Sequence, residues 1–444
     1  MDQPRQAEPS RVPVGAKQEG DIRARWAWVE AGVWTERMLK ALEEGVKGGV
    51  WFALIDKVWA DRTLQQAWKQ VRSNGGSPGM DGMTVERFEK DSQKRLLAVK
   101  EQLRIGTYQP QPVKRVWIDK PGSREKRPLG VPSVTDRIVQ SALRMVIEPI
   151  FERDFAEHSY GFRPERGCKD ALRRVDALLQ GGQSWVVDAD LKSYFDTIPH
   201  ARLLKMVGEK IGDGRVLALL ESYLQQGVLE GSQLAEAATE GTPQGAVISP
   251  LLANLYLDPL DHHVAACGHE MVRYADDFVV LCASREEAES ALQTIQQWVA
   301  EAGLTLHPQK TRIVDATQPG GFDFLGYHFE QGRKTPRSKS LKKFKDTIRT
   351  QTPRQAGESM ARIIAHLTPT MRGWFQYFQH SRRRIFPSLD SWIRGRLRSI
   401  LRRRQGRRGR GRGLDHQRWP NSYFTDLGYF SLEAAVRSAQ SLQS

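Results

Sequence analysis

Two adjacent carboxylates, Asp276 and Asp277, lie inside the apolar stretch from Met271 to Leu281. The valine and aromatic residues on both sides predict a strand, a tight turn and a second strand. A carboxylate held against an apolar sheet is costly in free energy unless it is paired with a cation or binds a metal. The pattern is therefore consistent either with an acidic hairpin tip that faces water or with a metal-dependent catalytic site.

A third carboxylate, Asp190, ends a short apolar stretch that begins at Trp185 and predicts another strand. The ends of strands in α/β arrangements open into the functional crevice, so Asp190 is placed to meet Asp276 and Asp277 across neighbouring strands. The alternative is that Asp190 only caps the helix that follows it.

The segment from Val113 to Val131 predicts a β-hairpin with a cationic tip. Apolar and polar residues alternate around Val116, and a turn is expected at residues 121–123. The basic residues of the hairpin are Lys114, Arg115, Lys120, Arg124, Lys126 and Arg127. An amphipathic helix is expected over residues 135–152, and Gln244 lies in a turn that precedes a helical apolar run.

The charge of the chain is unevenly distributed. The 444 residues carry a formal net charge of +15. Residues 333–413 contain 24 Lys or Arg and three acidic residues, a local charge of +21, so the rest of the chain sums to −6. A basic C-terminal third on a mildly acidic body indicates a polyanion partner, with nucleic acid as the first candidate. A solvated helix face would instead interleave acidic and basic residues.

Composition excludes several classes of protein. With 39% apolar residues, the chain is long enough for two or three domains that each bury a core, so it is not disordered as a whole. Its three cysteines are too far apart for the usual zinc module and fit a reducing compartment. No segment has the pattern of a secretory signal or a membrane span, so we expect a soluble intracellular protein without a membrane partner.

Nucleotidyl transfer requires the combination that these features provide. Two Mg²⁺ ions about 3.5–4 Å apart need hard, anionic oxygen ligands, which the three aspartates offer. One ion lowers the pKa of a primer 3′-hydroxyl and the other stabilises the departing pyrophosphate. The triphosphate also needs cationic side chains, for which Lys120 and Arg127 are candidates.

The ordered motifs resemble those of the group II intron reverse transcriptases, also called intron-encoded maturases, over residues 34–434. The motifs that carry the resemblance are residues 74–82, Arg127–Pro132, Ser159–Pro164, Asp190 with Phe195, Thr242–Gly245, Tyr274–Asp277, Gly303–Leu306 with Lys310 and Thr311, and Gly321–Tyr327. The resemblance implies an α+β right-hand polymerase fold, with fingers and palm around a central antiparallel sheet over residues 26–332. An α-helical thumb, or X domain, is expected over residues 333–444, and residues 1–25 are expected to be a disordered extension.

The resemblance also assigns roles to individual residues. Asp190, Asp276 and Asp277 match the catalytic, metal-binding carboxylates. The positions that match nucleotide-binding residues are Lys120, Arg127, Phe195, Gln244 and Lys310, of which Phe195 is the steric gate against a ribose 2′-hydroxyl.

Three amphipathic stretches support the helical thumb on independent grounds, because each has apolar residues at helical spacing between residues 341 and 400. Arg394, Arg398 and Arg402 are then expected on the opposite, outer face, where they would hold an RNA backbone. The predicted RNA-binding residues are Arg394, Arg398, Arg402, Arg403, Arg404, Arg407 and Arg408. The aromatic residues Trp374, Phe375, Tyr377 and Phe378 fit helix packing better than base stacking.

The resulting functional prediction is an RNA-directed DNA polymerase that binds its own group II intron RNA, assists its splicing and copies it into DNA during intron mobility. The expected partners are the intron RNA, an RNA template with a DNA primer, deoxynucleoside triphosphates and a DNA target. The sequence lacks the cysteine pairs of the family's endonuclease domain, so we expect the endonuclease-lacking type. The alternatives are a free-standing relative used in repair or defence, and an RNA-binding splicing factor with an unused polymerase. A viral RNA-dependent RNA polymerase also uses metal-binding carboxylates, but the aromatic gate Phe195 favours DNA synthesis.

Overall fold

The computed structural model describes residues 22–119, 126–231, 233–235, 239–355 and 357–441, which form two compact units. The first unit contains the described residues up to 178 and residues 187–313, and the second contains residues 179–186 and 314–441. Residues 22–25 of the predicted disordered extension form a helical turn, and the remainder of that extension lies outside the described residues.

Helices outnumber strands in the described residues. The helices are α1 Ile22–Arg25, α2 Glu36–Glu44, α3 Ile55–Val58, α4 Asp61–Asn74, α5 Val85–Lys90, α6 Ser92–Ile105, α7 Val134–Glu152, α8 Cys168–Gln180, α9 Tyr194–Thr197, α10 His200–Gly208, α11 Gly214–Leu224, α12 Ser249–Ala266, α13 Arg285–Glu301, α14 Ser338–Gln351, α15 Met360–Phe378, α16 Ile385–Arg404, α17 Leu414–Arg418, α18 Asn421–Asp426 and α19 Leu432–Ser441. The strands are β1 Val113–Asp119, β2 Lys126–Val131, β3 Trp185–Asp190, β4 Val228–Glu230, β5 Gln233–Ala235, β6 Glu270–Tyr274, β7 Asp277–Cys282, β8 Arg312–Asp315, β9 Phe322–Phe324, β10 Tyr327–Glu330 and β11 Arg333–Pro336.

The strand pairing of the predicted hairpin is confirmed, whereas Lys120 and Arg124 of its cationic tip lie outside the described residues. β1 and β2 pair antiparallel from Lys114 opposite Val131 to Asp119 opposite Lys126. β4 joins β1 in parallel and β5 follows it, which gives the strand order β2-β1-β4-β5. The turn expected at residues 121–123 lies outside the described residues, as does Lys120.

A second four-stranded sheet has the order β6-β7-β3-β8 and carries the acidic motifs. β6 and β7 pair antiparallel up to Tyr274 opposite Asp277, so only Ala275 and Asp276 form the turn between them. This confirms the strand, tight turn and strand predicted from the sequence. β3 is the other neighbour of β7 and ends at Asp190, as predicted.

Two helices of the first unit are buried on most sides. α7 confirms the helix predicted over residues 135–152, and its first turn is capped by Ser133, whose Oγ accepts a hydrogen bond of 3.0 Å from the Asp136 backbone N–H. α12 is likewise buried from Ser249 to Val264 at most positions. Helices that are buried on most sides form the interior of a domain.

The second unit combines a three-stranded antiparallel sheet, ordered β11-β10-β9, with a helical bundle. The three predicted amphipathic stretches form α14, α15 and α16. Their apolar faces share one core with residues from α17 to α19. Trp374 stacks on Phe344 with ring centroids 4.4 Å apart, and Phe375 packs edge-on against Phe386. The aromatic residues of α15 therefore serve packing, as predicted.

The α+β class, with antiparallel sheets followed by a helical C-terminal region, is confirmed. Within the described ranges, every helix is too short or too polar to cross a membrane.

Candidate active site

The acidic turn brings Asp276 against the apolar interior of the first unit. Ala275, the first residue of the turn, has a positive φ of 60°, and the loop of Gly161 lies directly against it. A Cβ at position 161 would be 2.2 Å from the Ala275 nitrogen, so only glycine allows this approach. The turn therefore packs against the motif Ser159–Pro164, which contains Gly161.

The structure brings Asp190 close enough to Asp276 for the two carboxylates to interact. Burial raises the pKa of Asp276 above its ordinary value, and the negative charge of Asp190 raises that pKa further. The positive charges of Arg127 and Arg273 oppose this rise. Two carboxylates that repel each other and face nearby cations form a site where additional positive charge is stabilising.

Lys310 provides one such positive charge at Asp190. Its Nζ lies 2.5 Å from Asp190 Oδ2, and both side chains remain partly exposed. The segment that carries Lys310 is tied to the end of β3, because the His307 N–H donates to the Asp190 carbonyl at 2.7 Å and the Lys192 N–H donates to the Thr305 carbonyl at 2.8 Å. The motif containing Lys310 is thus held next to Asp190, the first of the three predicted metal-binding carboxylates.

Gln244 lies between the cationic hairpin and the turn after β3. The Gly130 N–H donates to the Gln244 carbonyl at 2.7 Å, and Gln244 Nε2 donates to the Asp196 carboxylate at 3.2 Å. The Thr242 N–H donates to the carbonyl of Phe195, which is half-buried. Main-chain hydrogen bonds therefore join three of the predicted nucleotide-binding motifs, carried by Arg127–Pro132, Phe195 and Thr242–Gly245.

The donor chemistry of the aspartates fits a hard divalent cation, because carboxylate oxygens are the preferred ligands of Mg²⁺. In the described part of the chain, however, no three His, Cys, Asp or Glu side chains are already arranged as metal ligands. The structure thus brings together Asp190 and Asp276, with Asp277 adjacent in sequence, but does not show a completed coordination sphere.

The basic C-terminal region differs from the sequence prediction at two arginines of α16. Arg398 is 3% exposed, and its guanidinium donates to the Trp419 carbonyl at 2.9 Å and to Asn421 Oδ1 at 2.8 Å. The Arg394 side chain is also mostly buried, 3.9 Å from the Asp390 carboxylate. The expectation that both lie on an outer face is wrong, because the segment after residue 413 folds back over that side of the helix.

The other predicted RNA-binding arginines are accessible or partly so. Arg402 is paired with Asp415 at 2.6 Å and is about one-quarter exposed. Arg404 donates to the Glu358 carbonyl. The residues with exposed side chains in this run are Arg403, Arg404, Arg407, Arg408, Arg410 and Arg412.

Comparison with known proteins identifies the family of the chain. The family model described as "Reverse transcriptase (RNA-dependent DNA polymerase)" matches residues 118–329, and the model "Group II intron, maturase-specific domain" matches residues 341–419. Protein YkfC from Escherichia coli K12 is 35% identical over 316 residues, which cover 61% of this chain and 81% of YkfC. The chain belongs to the group II intron reverse transcriptases and maturases.

Two further relatives cover smaller parts of the molecule. The group II intron-encoded protein LtrA from Lactococcus lactis subsp. cremoris is 40% identical over 200 residues, or 45% of this chain, and the match spans 33% of LtrA. A chain in the structure entitled "Partial Cas6-RT-Cas1--Cas2 complex" is 26% identical, with a TM-score of 0.37, over 56% of this chain and 41% of its own length. This family membership confirms an RNA-directed DNA polymerase with an RNA-binding maturase domain, and it confirms the predicted family.

Sequence reasoning missed several residues that this reverse transcriptase uses to build its site. Asp196, Asn254, Asp261 and Arg273 were not predicted to have any role, yet each contacts a motif residue or the segment that supports it. Arg273 could have been noticed, because a charged residue inside an apolar strand requires a buried partner.

Proposed function

We propose that this protein extends a DNA primer on an RNA template, using deoxynucleoside triphosphates, and that its principal template is its own group II intron RNA. It would bind that RNA, promote its splicing and copy it into a DNA target. The observation that carries the proposal is the convergence of Asp190 and Asp276 at adjacent strands, with Arg127 close enough to act on the same carboxylate. We further propose that it works in the bacterial cytoplasm, where RNA, DNA and nucleotides occur together.

Asp190, Asp276 and Asp277 are the residues that would hold two Mg²⁺ ions. When bound, such ions activate the primer 3′-hydroxyl and stabilise the charge on the leaving pyrophosphate. The protein contributes the anionic ligands and holds them on neighbouring strands, where their mutual repulsion favours cation binding.

The incoming nucleotide would lie between the cationic hairpin and the acidic turn. Arg127, on β2, supplies a cation for the triphosphate, and Lys120 and Lys310 are proposed to do the same. Phe195 would exclude a ribose 2′-hydroxyl by steric clash, and Gln244 would line the pocket floor. The hydrogen bonds that connect Gln244 to Gly130 and Asp196 support a single preorganised pocket.

The RNA-binding surface would lie on the second unit. We propose fingers and palm over residues 26–332 and the thumb over residues 333–444. The match to the reverse transcriptase model ends at residue 329 and the match to the maturase model begins at residue 341, which supports this division. The proposed RNA contacts are Arg402, Arg403, Arg404, Arg407 and Arg408, whereas Arg394 and Arg398 are left out because their guanidinium groups are committed inside the bundle.

Primer extension on an RNA template annealed to a DNA primer tests the proposal. Wild-type protein with Mg²⁺ and deoxynucleotides should extend the primer, and Asp276→Ala and Asp277→Ala should not. RNA affinity should stay nearly unchanged in both variants, because these aspartates would bind metal rather than phosphate. A folded, RNA-binding wild type that fails to extend any primer would instead support a splicing factor with an unused polymerase. Equal loss of synthesis and RNA binding in the variants would contradict the separation of roles.

A further inference from the structure

Arg273, three residues before Asp276, is a fully buried cation beside the acidic turn. Its exposed fraction is 0%, and every described contact of its guanidinium is with another buried group or the protein backbone. Nε and Nη2 pair with the Asp261 carboxylate, with Nε at 2.8 Å from Oδ1. Nη1 points the other way and donates to the Ala275 carbonyl at 3.0 Å. Nε and Nη2 therefore pair the positive charge with the Asp261 carboxylate, and Nη1 holds the turn.

The turn needs such support because of its backbone conformation. Ala275 adopts the left-handed region at φ 60°, which is sterically unfavourable for a non-glycine residue. A strained conformation of this kind persists only where the surroundings fix it. The hydrogen bond from Arg273 to the Ala275 carbonyl fixes the peptide that leads directly into Asp276.

Asn254 extends this support to the segment on which the turn is seated. Its Oδ1 accepts a hydrogen bond of 3.0 Å from Arg273 Nη1, and its Nδ2 donates to the Gly161 carbonyl at 2.7 Å. The Gly161 loop also follows β6, because the Tyr160 N–H donates to the Arg273 carbonyl at 2.9 Å and the Arg273 N–H donates to the His158 carbonyl at 3.0 Å. One arginine thus connects α12, β6, this loop and the catalytic turn.

We infer that Arg273 is a positioning residue for catalysis: together with Asn254 it sets the conformation of the Ala275–Asp276 turn and so the affinity of the aspartates for divalent cations. The inference rests on the proposed metal role of Asp276. Any buried guanidinium needs acceptors for Nη1, and here those acceptors are the Ala275 carbonyl of the turn itself and Asn254, which also binds the Gly161 loop. Groups that orient metal ligands without touching the metal typically contribute a factor of about 10–100 in metal affinity or activity.

Arg273→Lys separates the two roles of the guanidinium. A lysine ammonium keeps the charge and can remain paired with Asp261, but it lacks the planar fork that reaches Asp261 and Ala275 together. Asn254→Ala is the second variant, since it leaves the ion pair with Asp261 in place and removes the link to Gly161. Arg398→Lys is the matched control, because Arg398 is equally buried and donates to one main-chain carbonyl and one Asn Oδ1 in the second unit.

The experiment measures Mn²⁺ binding to the full chain by electron paramagnetic resonance, beside kcat and KM for primer extension and a thermal melt of each variant. Mn²⁺ binding and kinetics are measured at a temperature below the melting transition of every variant that folds. We expect Arg273→Lys and Asn254→Ala to weaken Mn²⁺ binding and to lower kcat by about 10-fold or more, with little change in KM for the primer–template. Arg398→Lys should lower the melting temperature but leave Mn²⁺ affinity at the wild-type value.

Wild-type Mn²⁺ affinity in Arg273→Lys and Asn254→Ala, with only their melting temperatures lowered, would overturn the inference and leave the ion pair as a structural feature. If Arg273→Lys does not fold, Asn254→Ala decides the question by the same measurement. Absence of Mn²⁺ binding in the wild type itself would overturn the proposed metal role together with this inference. Failure of the metal role could be told apart from failure of the Arg273 inference alone, because it would appear in the wild-type protein without any substitution.

Discussion

Asp190 has a cationic partner within the protein, the Lys310 side chain. The Lys310 ammonium lies 2.5 Å from its Oδ2, on a segment that backbone hydrogen bonds hold against the end of β3. A divalent cation that binds Asp190 must therefore compete with Lys310 or share the carboxylate with it. Since Lys310 is also the proposed triphosphate ligand, arrival of the metal would release the ammonium group for that second role.

Lys310→Met should strengthen divalent binding while it slows DNA synthesis. Loss of the competing ammonium should lower the Mn²⁺ dissociation constant by up to about fivefold, because an exposed ion pair is worth at most about 1 kcal/mol. Synthesis should slow, since the proposed triphosphate contact is lost. Mn²⁺ titration and kcat measurements check both halves. Arg312→Met is the control, because Arg312 pairs at 3.2 Å with the neighbouring, non-catalytic Asp188 and should leave Mn²⁺ affinity unchanged. Weaker Mn²⁺ binding in Lys310→Met would contradict the competition.

His262 makes the stability of the first unit depend on pH. A hydrogen bond with Asp258 is the main reason that the pKa of His262 rises from 6.5 to about 9, and the Asp154 carbonyl, 3.0 Å from Nε2, adds to the rise. Because the folded pKa is the higher one, the stabilisation is complete below about pH 6.5 and is lost as the pH rises through about 9. The melting temperature of the wild type should exceed that of His262→Gln at about pH 6, and the difference should shrink to nothing near pH 10. A difference that grows with pH would reject this assignment.

At the scale of secondary structure, Asp390 of α16 fixes the start of α19. Its buried carboxylate accepts hydrogen bonds from the Tyr429 hydroxyl at 2.9 Å and from the backbone N–H groups of Leu432 and Glu433 at 3.2 Å and 3.0 Å. The same carboxylate raises the pKa of Tyr429 beyond what burial alone does. These N–H groups belong to the first turn of α19, where a carboxylate is the favoured cap.

Asp390→Ala should destabilise the second unit by about 3 kcal/mol or more. The substitution leaves several buried donors without an acceptor and removes the carboxylate nearest to Arg394. Urea unfolding of the full chain checks the value, with limited proteolysis to show where the chain opens. Asp346→Ala on the exposed face of α14 is the control, because its solvent-exposed ion pairs with Lys342 and Arg349 should contribute little to stability. Equal effects of the two substitutions would refute the capping role.

Local patterns explain which elements the sequence could predict. The hairpin over residues 113–131, the helix from Val134 and the strands beside Asp276 follow from alternation and periodicity within each segment. The burial of Arg398 could not be predicted, because its acceptors come from residues 21 and 23 positions later, in a segment with no distinctive pattern. Arg273 stands out as a charge inside an apolar strand, but the pattern could not identify its side-chain partners Asp261 and Asn254, which lie on the preceding helix.

At the scale of the whole molecule, positive charge is concentrated in the region that matches the maturase-specific domain. The local charge of +21 over residues 333–413 contrasts with −6 in the remainder of the chain. Two of these arginines, Arg398 and Arg394, are mostly buried inside the bundle. The arginine run after residue 402 remains at the surface. We therefore expect RNA binding to depend on the exposed arginines rather than on the total charge of the domain.

The salt dependence of RNA binding distinguishes these exposed arginines from net charge. A triple variant with Arg403, Arg407 and Arg408 changed to Gln loses three positive charges from the exposed run. Each lost phosphate contact should reduce the slope of log affinity against log salt concentration by about 0.7–0.9, so the slope should fall by about 2–3. Affinity at low salt should decrease as well, because fewer counterions are released on binding.

The control removes the same charge from elsewhere on the protein. Changing Lys69, Lys90 and Lys94 to Gln lowers the net charge equally but alters exposed residues on or beside helices α4 to α6. Filter binding to the intron RNA across a salt series should give this variant a slope close to the wild-type value, since these lysines would act only through the long-range field, which salt screens. Equal losses of slope in the two triple variants would mean that net charge, and not the arginine run, sets the affinity. A large loss confined to the arginine variant would locate the RNA backbone on the second unit.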